Sequence, residues 1–167
     1  EKKKFPNYNF LGRDEINSGL TQMGSSVKIV IFREEELEKL LLHETIHALN
    51  IDNSIKDKHD VHNQIRKDYN IYEDSGINIG ETYTESIAMI LNIMSNSVLS
   101  GYNYKILIEN ELRFSVYQCL NILKFYKIKS INDLMKKNNS LWIEKTSVFS
   151  YFILKLGSIF NMNLFIK

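Results

Sequence analysis

The segment LLHETIHALN, residues 41–50, constrains the fold more than any other stretch, because it sets two histidines and a glutamate in a largely apolar run. Residues i and i+4 of an α-helix lie one above the other on the same face, so His43 and His47 can each direct a ring nitrogen at one point. A tetrahedral zinc ion accepts such nitrogens at about 2.0–2.1 Å. Glu44 is turned from His43 by roughly 100°, so it would flank the ion without binding it. There it could take a proton from an attacking water. The alternative is that these residues match the spacing of a metal site by chance and hold no metal.

The residues before the histidines predict a strand that runs directly into their helix. The β-branched run SVKIVIF, residues 26–32, predicts a strand that ends at Phe32. Glutamates at 34–36 favour the positive end of a helix, which we expect to cover residues 34–49. Its apolar positions recur at helical spacing: Leu37, Leu40, Leu41, Ala48 and Leu49. The strand would offer an edge beside the metal, with which an extended peptide could pair.

A second strong helix is predicted from Glu81 to about Leu99, between Gly80 and Gly101. Its apolar side would consist of Tyr83, Ile87, Ile90, Leu91, Met94 and Val98. Further helical patterns fall within residues 61–70, 104–126, 131–137 and 144–156.

The arrangement of these patterns predicts a single domain over residues 1–167. Residues 1–26 read as irregular, because turn-forming residues dominate NSGLTQMGSS. A hydrophobic content of 44% is enough for a sizeable core. We therefore expect a mainly α domain of the α+β type, with a short strand or small sheet before the histidine helix.

A zinc hydrolase needs a third protein ligand and leaves a fourth position for water. Glu81 and Glu85 stand four apart in GETYTESIAM, and two carboxylates turned toward the interior repel unless a positive charge lies beside them. Glu81 as the ligand would satisfy this, with Glu85 accepting a hydrogen bond from the other nitrogen of a ligating histidine. The reverse assignment, with Glu85 as the ligand, stays open. His59 and His62 are further candidates, but their polar segment lacks an apolar scaffold that would fix them.

The composition excludes several other classes of protein. The formal net charge is +1 and no basic stripe is present, so nucleic acid is not an expected partner. No apolar run is long enough for a membrane span and no secretion signal is visible, so we expect an intracellular protein. Cys119 is the one cysteine, which excludes an intrachain disulfide and predicts a buried thiol. The chain starts at Glu1 without a methionine, which is compatible with a domain cut from a longer protein.

Together the two helical segments resemble the gluzincins, which are zinc metallopeptidases with an H-E-x-x-H helix and a glutamate from a later helix. HETIH matches the first element, and ETYTESIA resembles the second, written E-x-x-x-(D or E)-x-x-A. The resemblance covers residues 27–100 and implies a zincin-like domain with one zinc ion per chain. It implies His43, His47 and Glu81 as metal ligands, with Glu85 supporting a histidine. Glu44 would be the general base.

Two departures from the gluzincin pattern affect the expected chemistry. The second acid is glutamate rather than the commoner aspartate, which adds a methylene to its reach. No histidine follows Glu81, so a tyrosine or an arginine would have to stabilise the oxyanion. We take Tyr151 as the candidate, with Tyr83 and Arg113 as alternatives; both tyrosines could also be core aromatics. Arg33, beside the glutamate run, is interpreted as a member of a surface ion pair.

From these features we expect a zinc-dependent peptidase that hydrolyses peptide or protein substrates. Residues 16–24, 29–52, 81–92 and 144–154 are also similar to uncharacterised metallopeptidases of large DNA viruses. That similarity implies a viral protein of the host cytoplasm or the virion. The alternatives are an inactive, metal-stabilised binding module, a viral structural or nucleic-acid-binding protein, and a zinc hydrolase of non-peptide substrates.

Overall fold

The computed structural model describes residues 10–54, 59–72, 74–135 and 142–162. The predicted architecture, mainly helical with a small sheet beside the histidine helix, is confirmed. In chain order the elements are α1 (Arg13–Ile16), β1 (Gly19–Gln22), β2 (Lys28–Ile31), α2 (Leu37–Ala48), a 3-10 turn (Asp52–Ser54), α3 (His59–Tyr69), α4 (Ile79–Ser100), α5 (Tyr104–Phe125), α6 (Ile131–Leu134), a π-helical turn (Phe149–Leu154) and α7 (Lys155–Phe160).

The sheet consists of β1 and β2, which pair antiparallel with Gly19 opposite Ile31 and Gln22 opposite Lys28. The strand predicted at 26–32 is present in shorter form as β2. The expectation that residues 1–26 are irregular was wrong where α1 and β1 form. The β1 sequence, GLTQ, contains a single β-branched residue, so its extended conformation depends on pairing with β2 rather than on propensity.

Helix α2 begins at Leu37, three residues later than predicted. The Glu36 backbone is non-helical, and a turn in which the Leu37 N–H donates to the Glu34 carbonyl precedes the helix. The side that packs against the sheet and α4 contains Leu40, His43, Glu44 and Ile46. The predicted apolar positions Leu37, Leu41 and Leu49 are exposed instead. The histidine side of the helix therefore faces the interior.

Helix α4 ends just before Gly101 as predicted but begins at Ile79, two residues earlier than predicted, so Gly80 lies inside it. The Asn78 side chain accepts a hydrogen bond from the Glu81 backbone N–H at its start, and Gly101 closes it with φ of 74°. Its buried positions are mainly small or polar: Gly80, Thr82, Thr84, Glu85, Ser86, Ala88, Met89 and Ile93. The predicted apolar positions Leu91, Met94 and Val98 are exposed. Small side chains let α4 lie close to α2, and this contact decides which face is buried.

The larger hydrophobic core cluster lies around Trp142. The indole ring contacts the Tyr126 ring, with centroids 4.1 Å apart, and the Phe149 ring, with centroids 5.4 Å apart. Cys119 is buried in the same core, as predicted, and burial raises the pKa of its thiol to about 11. No helix in the described ranges is long and apolar enough to cross a membrane.

A buried carboxyl group fixes the π-helical turn that leads into α7. Glu144 Oε2 accepts hydrogen bonds from the Trp142 indole N–H (3.1 Å) and the Phe149 backbone N–H (2.7 Å). Burial raises the pKa of Glu144 to about 8, and its other oxygen has no hydrogen-bond partner. This anchor holds the turn that carries Tyr151 next to α2.

Candidate metal centre

Three side chains from α2 and α4 bring lone-pair atoms to one point. The Nε2 atoms of His43 and His47 are 3.1 Å apart, and each lies 3.4 Å from Glu81 Oε2. The prediction that these residues lie together is confirmed, and they form a group that could hold a metal ion. His43 is buried, whereas His47 and Glu81 are half-buried.

The spacing and chemistry of this triangle fit a zinc ion. A tetrahedral ion with bonds of about 2.0–2.1 Å sets its ligand atoms about 3.3–3.4 Å apart, close to the observed edges. Glu81 Oε2 is buried without a hydrogen-bond partner. Such an oxygen is costly unless a cation or a donor satisfies it.

The other nitrogen of each histidine is held by a carboxylate. His43 Nδ1 lies 3.1 Å from Glu85 Oε2, and His47 Nδ1 lies 2.8 Å from Asp52 Oδ2. Since carboxylates accept, both Nδ1 atoms donate, and each ring in its neutral form presents its Nε2 lone pair to the triangle, as a metal ion requires. At 3.1 Å two such lone pairs repel, which a shared cation, whether a proton or a metal ion, relieves.

Asp52 was missed by the sequence reasoning, although it follows His47 by only five residues. It lies beyond the end of α2, in the 3-10 turn. The chain reverses toward the helix at Asn50, which adopts a left-handed conformation with φ of 58°. The sequence could have indicated this role only through the presence of an acidic residue shortly after the histidine helix. The turn is what directs the Asp52 side chain toward His47 Nδ1.

The charges around the cluster favour a positive ion. Burial alone would lower the pKa of His43, but the carboxylates of Glu81 and Glu85 raise it to about 9. Burial alone would raise the pKa of Glu81, but the two histidines lower it to about 2. The carboxylates are therefore ionised at neutral pH, and their field stabilises positive charge between them.

Glu85 is compensated by two lysines, one half-buried and one buried, rather than by the metal cluster. Its Oε1 lies 2.8 Å from Lys39 Nζ and 3.4 Å from Lys155 Nζ. Burial would raise the pKa of Glu85, but these two ammonium groups hold it well below its usual range. Lys155 is 2% exposed and also lies 3.7 Å from Glu111 Oε1. Glu85 is thus fixed to orient His43, while Glu81 provides the oxygen of the triangle.

Glu44 lies against β1, beside the cluster. The Thr21 hydroxyl is 2.8 Å from Glu44 Oε2 and 2.8 Å from the Glu44 carbonyl oxygen. A Cβ atom at Gly19 would come within 2.8 Å of Glu44 Oε1. The strand that contacts Glu44 is therefore β1, whereas the strand expected to offer an edge beside the metal was β2, directly before the helix.

Tyr151 shares a cleft of about 320 Å³ with the cluster and Glu44. Its ring centroid is 6.3 Å from that of His43. Burial, followed by the negative charge of Glu81, raises the pKa of Tyr151 well above its usual value. The phenol therefore keeps its proton at neutral pH and can donate a hydrogen bond.

The other candidates are not brought into the cluster. Arg113 is 74% exposed and pairs with Glu109 on the surface of α5, and Tyr83 is half-buried on α4. His62 lies on α3 outside the cluster, and the side chain of His59 lies outside the described part of the structure. The ion pair expected for Arg33 is absent among the residues that the structure describes.

Comparisons with known proteins give one relative. Over 125 residues the chain is 34% identical to an uncharacterized protein of Acanthamoeba polyphaga mimivirus, a match that covers 69% of this chain and 30% of that protein. The chain thus spans less than a third of that relative's length. No protein-family model matches the sequence. No solved structure matches it either. The predicted similarity to proteins of large DNA viruses is confirmed, whereas the resemblance to the gluzincins stays a prediction.

Proposed function

We propose that the chain is a zinc-dependent peptidase of the gluzincin type, built on a zincin-like domain. The observation that carries the proposal is the triangle of His43 Nε2, His47 Nε2 and Glu81 Oε2 beside the buried carboxylate of Glu44. A zinc ion in such a site lowers the pKa of water and polarises a carbonyl group. A purely structural ion would not need Glu44.

Glu44 would act as general base, taking a proton from the attacking water and passing it to the leaving amine. Thr21 and Gly19 restrict its carboxylate from the β1 side, so the group has few alternative positions. A carboxylate held in place contributes to catalysis without first being ordered.

Tyr151 would stabilise the negative charge that develops on the substrate carbonyl oxygen. Its neutral phenol faces the same cleft as Glu44, on the side of the π-helical turn. A hydrogen-bond donor fixed before the reaction is worth more than a mobile one, because it does not reorganise as charge develops.

An extended peptide would reach these groups along β1. Within the described residues β1 pairs only with β2, and the peptide would pair with its second edge. Leu20 and Thr21 of this strand line the cleft that contains the histidines. Backbone pairing would hold a peptide without demanding a particular sequence.

Replacing Glu44 by glutamine tests the proposal. We expect the Glu44→Gln variant to hold about one zinc ion per chain, because the side chain is not a ligand, while hydrolysis of a peptide library falls by about 10²–10⁴. Elemental analysis measures the zinc, and mass spectrometry of the cleaved peptides measures the rate. Glu109→Gln, on the exposed side of α5, is the matched control and should keep both the zinc content and the cleavage rate of the parent.

Two outcomes would contradict the proposal in different ways. A zinc-loaded Glu44→Gln protein that cleaves at the parent rate would remove Glu44 from the mechanism. A parent protein that binds zinc and cleaves no peptide in the library would favour the metal-stabilised binding module. A protein that binds no zinc would exclude both.

A further inference from the structure

A second cavity of about 100 Å³ adjoins the metal cleft on the other side of Glu44. The two cavities share Asn17, His43, Glu44 and Tyr151. A group bound in the second cavity would therefore lie next to the peptide bond whose hydrolysis Glu44 is proposed to assist. At about 10–15 Å³ for each water-sized group, the cavity has room for a side chain of several heavy atoms.

The charged side chains that line this cavity are three basic ones and three acidic ones: Arg33, Lys39, Lys155, Glu36, Glu44 and Glu85. Two of the basic side chains already have an acidic partner. Lys39 and Lys155 both contact Glu85 Oε1, at 2.8 and 3.4 Å. Arg33, in the segment between β2 and α2, forms no hydrogen bond or ion pair with any residue in the described ranges. The cavity thus contains a half-buried guanidinium group whose donors are unused.

A carboxylate is the ligand that suits such a group. The guanidinium presents paired N–H donors in a planar fork that matches the two oxygens of a carboxylate. A neutral amide of the same shape can accept only at one oxygen and brings no charge. A basic side chain would be repelled by Arg33.

We propose that this cavity is a subsite for an acidic side chain of the substrate, and that Arg33 is the residue that selects it. The inference rests on the proposed peptidase function and narrows its substrates to peptides with aspartate or glutamate next to the cleaved bond. The carboxylate of a peptide's C-terminal residue has the same chemistry, so the test must separate the two sources.

The first measurement compares matched peptides that carry glutamate or glutamine beside the cleaved bond, all amidated at the C-terminus. The zinc-loaded parent should show a kcat/KM at least about tenfold higher for glutamate, because a charged hydrogen-bonded pair forms in one complex only. Arg33→Gln should bring that ratio close to one. Arg113→Gln, which removes an exposed arginine far from the cavity, should preserve it.

The second measurement does not depend on turnover. Isothermal titration of the zinc-loaded protein with N-acetyl-glutamate amide and N-acetyl-glutamine amide measures binding directly. The parent should bind the glutamate compound more tightly, and Arg33→Gln should lose this difference. Glutamate binding that Arg33→Gln retains would mean that the carboxylate binds elsewhere, including at the metal, and would overturn the proposal.

The remaining outcomes are also decisive. If the parent cleaves the glutamate and glutamine peptides with nearly equal kcat/KM, the subsite proposal is overturned while the peptidase proposal stands. The same follows if the parent prefers glutamate but Arg33→Gln does not change the ratio of the two kcat/KM values. If cleavage requires a free C-terminus and is independent of the side chain beside the cleaved bond, the cavity binds the carboxylate at the peptide end. This result also overturns the proposed side-chain subsite. If no peptide is cleaved, the peptidase proposal fails, and the titration alone decides whether Arg33 forms a carboxylate site.

Discussion

Each histidine of the cluster has its own carboxylate, but the two carboxylates have different surroundings. Asp52, beside His47, is half-exposed, so water can stabilise its charge. Glu85, beside His43, is buried and depends on Lys39 and Lys155. Removing the charge of Glu85 would leave Lys39 and Lys155 with only their longer contacts, to Glu36 at 3.9 Å and to Glu111 at 3.7 Å, so its effects should extend beyond the metal.

Replacing each glutamate of α4 by glutamine should separate their roles. We expect Glu81→Gln to weaken zinc binding more than Glu85→Gln, because it removes an anionic ligand, whereas loss of a supporting carboxylate typically costs about 10–100-fold. Glu85→Gln should instead lower the free energy of unfolding more, since Lys155 is buried beside it. Competition with a chromophoric chelator measures the affinity, and urea unfolding measures the stability.

The reverse order of zinc affinities would exchange the two roles and make Glu85 the ligand. Glu109→Gln again provides the baseline for removing one negative charge from the chain. Zinc affinities that do not change in either α4 variant would place the metal elsewhere.

The site residues that sequence reasoning found are those related by helical spacing. His43 and His47 are four apart on one helix, and the local geometry of a helix is independent of the rest of the fold. Residues whose role depends on tertiary structure were missed or misread. Lys155 reaches Glu85 across 70 residues of sequence, and Arg33 was expected to form an ion pair that the described structure lacks.

At the scale of secondary structure, β1 determines where Glu44 can lie. The strand comes so close to α2 that Gly19 has no room for a side chain on that face. The Thr21 hydroxyl, two residues further along and on the same face of the strand, contacts the same carboxylate. A four-residue strand of low propensity thus positions the proposed base.

Gly19→Ala should reduce activity without removing zinc. The new Cβ would lie 2.8 Å from Glu44 Oε1, so the flexible end of that side chain must move while the helix and the ligands stay. We expect a lower kcat with one zinc ion per chain retained, measured by peptide cleavage and elemental analysis.

Gly157→Ala is the matched control, because nothing lies within 4 Å of a Cβ added there in α7. It should keep full activity and stabilise the protein by about 0.5–1 kcal/mol, as alanine favours a helix interior. Equal activity of the Gly19→Ala variant and the parent would show that Glu44 tolerates displacement, contrary to its proposed role.

The sequence predicted where the long helices lie but not which of their faces is buried. Periodicity assumes that the apolar face is the buried one. In α2 and α4 the interior faces carry histidine, glutamate, threonine and serine, while Leu41 and Val98 are exposed. Polar side chains that form hydrogen bonds or ion pairs with one another can be buried. The pattern of apolar residues along a helix does not show which polar side chains form such pairs.

For the molecule as a whole, the cluster connects the two helices between the sheet and the core. Two of its side chains belong to α2 and one to α4, and the two helices pack against each other. An ion held by all three would add a cross-link that the unfolded chain cannot form. Zinc binding and folding are therefore expected to be coupled.

Zinc should raise the midpoint of thermal unfolding. At a free zinc concentration about 100 times Kd, the gain is about 2.7 kcal/mol, or roughly 5–10 °C for a chain of this size. Calorimetry of the metal-free protein with and without zinc measures the shift. Magnesium is the control and should leave the midpoint unchanged, because it prefers oxygen ligands over histidine nitrogen.

A His43→Ala, His47→Ala double variant should lose the response to zinc. A shift of equal size in that variant would mean that the stabilising ion binds at another place. An unchanged midpoint in the parent would mean that the cluster does not hold zinc in the folded protein.

The dependence of Glu85 on Lys155 also orders events during synthesis of the chain. Seventy residues separate the two side chains, which a ribosome takes roughly 4–14 s to add at about 5–20 residues per second. Both histidines and Glu81 are made before Lys155, so a nascent chain has the complete ligand set while Glu85 still lacks one of its two cations. Premature termination between α5 and the π-helical turn would release a polypeptide that has every proposed ligand but in which Lys39 is the one lysine left to pair with Glu85.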